Sequence, residues 1–187
     1  MDTPREPYDW DLSTRIGEEA VDLVLKFIIS PVAKEYWADI RHIHPVENND
    51  HYRVKDIDLV LIEKKDSGLA ETTVEIKGDR NKKAQNFFFE TVSDKEKNTP
   101  GAFYATQADW ILYYFISIKT LYCIPTLDAK QWFGVNIGLC MEREVQSSRK
   151  GRSWTTVGRL VAISQILKDV PTIQRYVLIG SQWERST

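Results

Sequence analysis

The chain has 187 residues, 42% of them hydrophobic, 11% aromatic and 28% charged, with a formal net charge of −2. This is enough apolar content for a core and too much for a disordered chain, and the length suits one domain. Near-neutrality excludes a histone-like polycation or a polyacidic tail protein, but not a nucleic-acid binder, because binding depends on where the charge sits. Residues 1–47 carry 5 basic and 10 acidic side chains, residues 48–140 carry 12 and 13, and residues 141–187 carry 8 and 4, which leaves an acidic front and a basic tail.

Cys123 and Cys140 each sit in an apolar stretch. Two cysteines are too few for a disulfide framework or a zinc site, and they read as small buried residues in a reducing cytoplasm. The N-terminus lacks an apolar signal core. The longest apolar runs, such as residues 111–118, fall well short of the ~20 residues that span a bilayer. A cytoplasmic protein with no membrane partner is expected.

In chain order, a helix is predicted first. Leu12-Ser13-Thr14 offers an N-cap, and Ile16, Ala20, Leu23, Val24, Phe27 and Ile28 recur at helical spacing until Ser30-Pro31 ends the run. Residues 36–44 are ambiguous between a helix end and a strand. A hairpin follows: residues 57–62 form an apolar strand, residues 64–68 a polar turn, and residues 72–77 an alternating β-branched strand. Residues 81–92 read as a helix carrying Phe87, Phe88 and Phe89, with Lys82, Asn86 and Glu90 one turn apart. After a Pro100-Gly101 turn come strands over 110–118 and 121–124. A helix over 126–137 follows, with Thr126 as cap and Asp128 in its first turn. Residues 147–153 read as a polar, basic loop. Residues 157–163 read as a strand, and Ser164 as the cap of a short last helix. The expected fold is α/β, a central mixed sheet flanked by helices.

The informative constellation is Asp58 with Glu75-Ile76-Lys77. Glu75 and Lys77 are two apart and share a strand face, and Asp58 opens the partner strand. Two carboxylates and one ammonium would then meet at a sheet edge. Two carboxylates suit a hard divalent cation that keeps waters for a substrate phosphate, and a lysine beside them can position the attacking water. The plainer reading is three surface charges on an exposed sheet face.

With these residues in view, GEEAVDLVLKFI, KDIDLVLIE and TTVEIKGDR, followed by NFFFE, resemble the PD-(D/E)XK nuclease superfamily, which includes restriction endonucleases and Holliday-junction resolvases. The resemblance is one of pattern and covers roughly residues 14–125, leaving a basic C-terminal extension to a single domain over 1–187. It implies a restriction-endonuclease-like mixed sheet flanked by helices. It also implies a Mg²⁺- or Mn²⁺-dependent nuclease, with DNA as the expected substrate. Asp58 and Glu75 would be metal ligands and Lys77 the catalytic lysine. A glutamate of the first helix would complete the site; Glu18 is preferred to Glu19 because it follows Gly17 at the helix opening, though the helical wheel does not decide between them. Ile57 stands where the pattern often has proline. Asp56 shares a strand face with Asp58 and could stand in for it, but Asp58 abuts the apolar strand directly. A second E-x-K, Glu63-Lys64-Lys65, falls in the predicted turn and reads as a solvated loop.

Arg80, Lys82 and Lys83 follow the site in a basic run and are candidate phosphate contacts, with Gln85 or Glu90 as candidate support. Arg149, Lys150 and Arg152, with Trp154 just after them, form a second basic group suited to phosphate contact and base stacking. Asp109 reads as a strand-entry residue, and His42, His44 and His51 as ordinary strand and loop histidines. A homodimer would fit an enzyme that cuts both strands. The competing class is a nucleic-acid-binding or assembly module on the same fold with little or no cleavage. No Gly-x-Ser-x-Gly and no P-loop supports a different hydrolase.

Overall fold

The computed structural model describes residues 10–149 and 152–186, with side chains from Gly17 onward and without that of Arg149. The first helix, α1 (Trp10–Ile28), already runs at Trp10, upstream of the expected cap. Its inward positions Ala20, Val24, Phe27 and Ile28 are spaced i, i+4, i+7 and i+8, and all four are buried. Pro31 then opens a 3-10 turn, Pro31–Glu35, because its fixed φ and missing N–H suit a helical first position.

A seven-stranded mixed sheet follows. Its strands are β1 (Ile40–Pro45), β2 (Leu59–Lys65), β3 (Gly68–Asp79), β6 (Trp110–Phe115), β7 (Thr120–Pro125), β10 (Gln174–Ile179) and β11 (Gln182–Ser186), in that spatial order. Only β3 and β6 pair in parallel; every other neighbour is antiparallel. A second, antiparallel sheet has the order β5 (Thr99–Pro100), β4 (Asn86–Asp94), β9 (Arg152–Ala162), β8 (Met141–Arg149). Short helices α2 (Asp50–Arg53) and α3 (Ala102–Ala105) sit in connections, and α4 (Thr126–Asn136) and α5 (Ile163–Asp169) complete the set. The chain is thus a mixed α/β fold with a large mixed sheet flanked by helices. Among the described residues no helix is long and apolar enough to cross a membrane.

Strand alternation divides the core into two layers. Val74, Ile76, Leu112 and Tyr114 pack with Ala20, Val24 and Phe27 of α1 on one face of the large sheet. Ile111, Tyr113, Phe115 and Tyr122 pack on the other face, with Phe87 and Phe89 of β4, Phe133 of α4 and Ile166 of α5. The residues after 125 are woven into both sheets and both layers, with Tyr176 and Trp183 in the α1 layer and Val161 in the other.

Several expectations are corrected. Residues 86–94 form β4, not a helix: Phe87 and Phe89 alternate inward while Phe88 lies on the other face over Gly158, where any Cβ would come within 2.3 Å of its ring. The approach to β4 is turn chemistry, with Asn81 N–H donating to Asp79 Oδ1 at 2.7 Å and Lys83 N–H to Asn81 Oδ1 at 3.1 Å. The expected basic loop at 147–153 belongs largely to the paired ends of β8 and β9. Pro125 and Ala162, not Thr126 and Ser164, occupy the N-cap positions of α4 and α5. Glu63 is not in a loop: it is buried in β2, its Oε2 3.2 Å from Lys65 Nζ.

Candidate active site

The site is built on the β2–β3 hairpin. Leu59 pairs with Val74, so one step further Asp58 stands opposite Glu75, anchored by Asp58 N–H donating to the Val74 carbonyl at 2.9 Å. Asp58 Oδ2 in turn accepts the Ile76 N–H at 2.7 Å, which fixes the carboxylate against the strand that carries Glu75 and Lys77. Because Val74 and Ile76 face α1, Glu75 and Lys77 face the second layer, in register with Ile111 and Tyr113 of β6. There they line a cleft together with Phe88, Phe89 and Glu90 of β4 and with Ala102, Phe103 and Thr106 around α3.

The electrostatics follow from this placement. Burial pushes the Glu75 carboxyl well above its ordinary range, and the Asp58 charge pushes it further, while Lys77 opposes. Burial also raises Asp58, against the Ile76 N–H, a hydrogen bond with Glu75, and Lys77. Asp56, in the left-handed region at φ 46, is raised by burial; Lys77 and Lys130 oppose the shift, and Glu90 and Asp58 add to it. Three carboxyl groups are therefore held toward their neutral forms, an arrangement that a cation would relieve.

The surroundings hold this segment in place. Thr106 Oγ1 donates to the Asp56 carbonyl at 2.9 Å and Gln107 N–H to the Lys55 carbonyl at 2.8 Å. Lys130 Nζ of α4 donates to the carbonyls of Tyr104, at 3.1 Å, and Thr106, at 2.5 Å, and burial lowers its pKa. Tyr113 donates its hydroxyl proton to Asp79 at 2.9 Å and accepts the Phe88 N–H at 3.2 Å, tying the end of β3 to β4.

Asp58, Glu75 and Lys77 are thus brought together, with Asp56 beside them. Glu18 is not: it stands exposed on α1, which packs on the opposite face of the sheet. Its neighbour Glu19 is also exposed, and its charge, after burial, helps push Tyr114 on that opposite face up to about 12. Glu90 reaches the cleft, but from a strand.

Arg80, Lys82 and Lys83 are exposed in the β3–β4 connection. Arg152 is ion-paired with Asp94 at 2.7 Å and lies 6.0 Å from the Trp154 ring centre. The side chain of Arg149 and all of Lys150 lie outside the described residues. Arg80, Lys82 and Lys83 thus precede β4, and Arg152 pairs with Asp94 at its other end.

The Gln85 carbonyl accepts the Ile163 N–H. Asp109 joins β6 to β3 by accepting from the Thr73 N–H and hydroxyl. His42 and His44 stack on exposed β1, and His51 bonds Lys55. Cys123 and Cys140 are free and buried.

Among the described residues no three His, Cys, Asp or Glu side chains form a group that could hold a metal ion. What the chain offers is a two-carboxylate pair. That fits a cation such as Mg²⁺, which takes only one or two protein carboxylates and fills its shell with water and substrate phosphate. Sequence reasoning missed Thr106, Lys130, Tyr113 and the strand setting of Glu90; the Asp79-Asn81 turn signal and the alternation of Phe87 and Phe89 would have revealed the last of these. No family model matches the chain, and no curated protein or solved structure matches it either.

Proposed function

We propose that the protein is a metal-dependent phosphodiesterase acting on nucleic acid, with DNA as the expected substrate, built as a PD-(D/E)XK nuclease on a restriction-endonuclease-like fold. The observation that carries this reading is Asp58, held by the Ile76 N–H and hydrogen-bonded to Glu75, with Lys77 two residues beyond Glu75 on the same face of β3. Asp58 and Glu75 would hold Mg²⁺ or Mn²⁺. The bound cation would supply charge neutralisation at the scissile phosphate and a more acidic water.

The chain's own groups do the rest. Lys77 lies two residues along the strand from Glu75, where its ammonium orients the attacking water and offsets negative charge on the phosphoryl oxygens. As that water attacks, a new P–O bond forms and the P–O bond to the leaving oxygen breaks; the attacking water gives up a proton to solvent and the leaving oxygen takes one from solvent. The Ile76 N–H holds Asp58 in its orientation throughout. Arg80, Lys82 and Lys83 lie just past Lys77 and suit contacts to the flanking phosphates. A cytoplasmic setting, a homodimer and phosphate contact by Arg149, Lys150 and Arg152 are parts of the same proposal.

A second reading, a nucleic-acid-binding or assembly module that does not cleave, is favoured by one observation: no three-ligand group is present among the described residues. Cleavage of plasmid and branched DNA separates the two. The enzyme cuts in Mg²⁺ or Mn²⁺ and loses at least a hundredfold in rate on Lys77→Ala or Asp58→Asn. The module binds DNA with no metal dependence and cuts nothing.

A further inference from the structure

The first helix cannot complete the site from where it lies. α1 packs through Ala20, Val24 and Phe27 on the face of the sheet that carries Val74 and Ile76, whereas Glu75 and Lys77 project from the other face. A different carboxylate does occupy the right side. Glu90 of β4 lines the same cleft as Glu75 and Lys77.

Its position is built by backbone irregularity. Glu90 pairs with Gly158, and the register shifts by one residue before Val92 pairs with Val157, so β4 bulges at this point. Bulges redirect side chains and are over-represented beside active sites. The bulge is closed by Gly101, whose N–H donates to the Thr91 carbonyl at 2.9 Å. A Cβ at Gly101 would come within 2.4 Å of the Glu90 carbonyl oxygen, so only glycine fits against the bulge. The next residue, Ala102, donates its N–H to Glu90 Oε1 at 3.3 Å, which orients the carboxylate along the cleft.

We infer that Glu90, reaching across from the second sheet, is a further carboxylate of the candidate site beyond Asp56, Asp58 and Glu75, in place of a glutamate from α1. It acts as a positioning residue, adding negative charge and one acceptor on the far wall of the cleft. Among the described residues it forms no three-carboxylate ligand group with Asp58 and Glu75, so its acceptor serves water in the cleft rather than the cation directly. This rests on the metal-dependent reading above.

The test is Mn²⁺ titration by calorimetry on the full chain, comparing wild type with Glu90→Gln, Glu18→Gln and Asp58→Asn, with melting curves run alongside. Glu90→Gln keeps the shape and an acceptor for the Ala102 N–H, so the fold survives. Removing one carboxylate charge from the cleft weakens its attraction for a cation. The expected result is an affinity at least tenfold weaker in Glu90→Gln, partly restored by Glu90→Asp, and unchanged in Glu18→Gln. Binding unchanged in Glu90→Gln but lost in Asp58→Asn overturns the role of Glu90 and leaves the metal site standing. No Mn²⁺ binding by folded wild-type protein overturns the metal site and this inference with it.

Discussion

The arrangement of Asp58 opposite Glu75 makes a prediction that runs against ordinary expectation: Glu75→Gln should stabilise the metal-free protein at neutral pH. Like charges directly opposite on neighbouring strands cost up to about 1 kcal/mol. Desolvating the ionised carboxylate costs on the order of another 1 kcal/mol that a neutral amide does not carry. Glutamine keeps the volume and an acceptor oxygen while removing the charge, so the gain is about 1–2 kcal/mol. For a chain of this size each 1 kcal/mol moves Tm by about 2–4 °C, which gives a rise of roughly 2–8 °C.

The sign with pH follows from linkage. The Glu75 carboxyl in the folded chain is held above its ordinary range by burial and by Asp58, so the folded protein retains a proton that the unfolded chain has released. Stability from this group is full below the unfolded value, near about pH 4, and is lost as pH rises through the folded value. The advantage of Glu75→Gln should therefore be largest at pH 8 and should shrink toward zero in acid. Melting curves in chelator across this range provide the assay. A lower Tm for Glu75→Gln at pH 8, or a difference that does not change with pH, refutes the reasoning.

Further outcomes follow from the same geometry. Gly101→Ala should cost about 1–3 kcal/mol in denaturant unfolding, because the new methyl meets the backbone of Glu90 and Thr91. Lys130→Met should cost about 1–3 kcal/mol by stripping the Tyr104 and Thr106 carbonyls of their shared donor, and amide exchange should accelerate selectively around α3. Phe87→Ala, at a fully buried ring in contact with Tyr113 and Tyr122, should cost about 3–5 kcal/mol. Near-neutral charge implies modest non-specific DNA affinity that weakens with salt, read from binding isotherms at two salt concentrations.

What the sequence revealed, and what it hid, has a physical pattern. The β2–β3 hairpin was legible because its alternation, its polar turn and the E-x-K pair all lie within twenty-odd residues. The α1 stripe was legible because four apolar positions repeat at helical spacing. β4 reads as a helix because Lys82, Asn86 and Glu90 fit a helical period by coincidence, while the strand period shows only in Phe87 and Phe89. The second half of β9 is legible in the apolar run from Val157, but β8 and the start of β9 are hidden by polarity: Gln146 bonds Thr155 and Ser147 bonds Thr156 across the strands, side chains that resemble loop composition. β10 and β11 turn through Gly180 at φ 61 and Ser181, a two-residue hairpin signal that went unread. At the site, the pair of carboxylates and the lysine were visible because they are local. The side of the sheet on which α1 packs is a tertiary fact, and so is the arrival of Glu90 from a second sheet; no local pattern carries either.

The central claim is that Asp58 and Glu75 together hold a divalent cation beside Lys77. Anomalous diffraction from crystals grown in Mn²⁺ tests it most directly. One Mn²⁺ peak is expected between the two carboxylates on the β4 side of the sheet, absent in Asp58→Asn. A peak elsewhere, or none there at millimolar Mn²⁺, contradicts it.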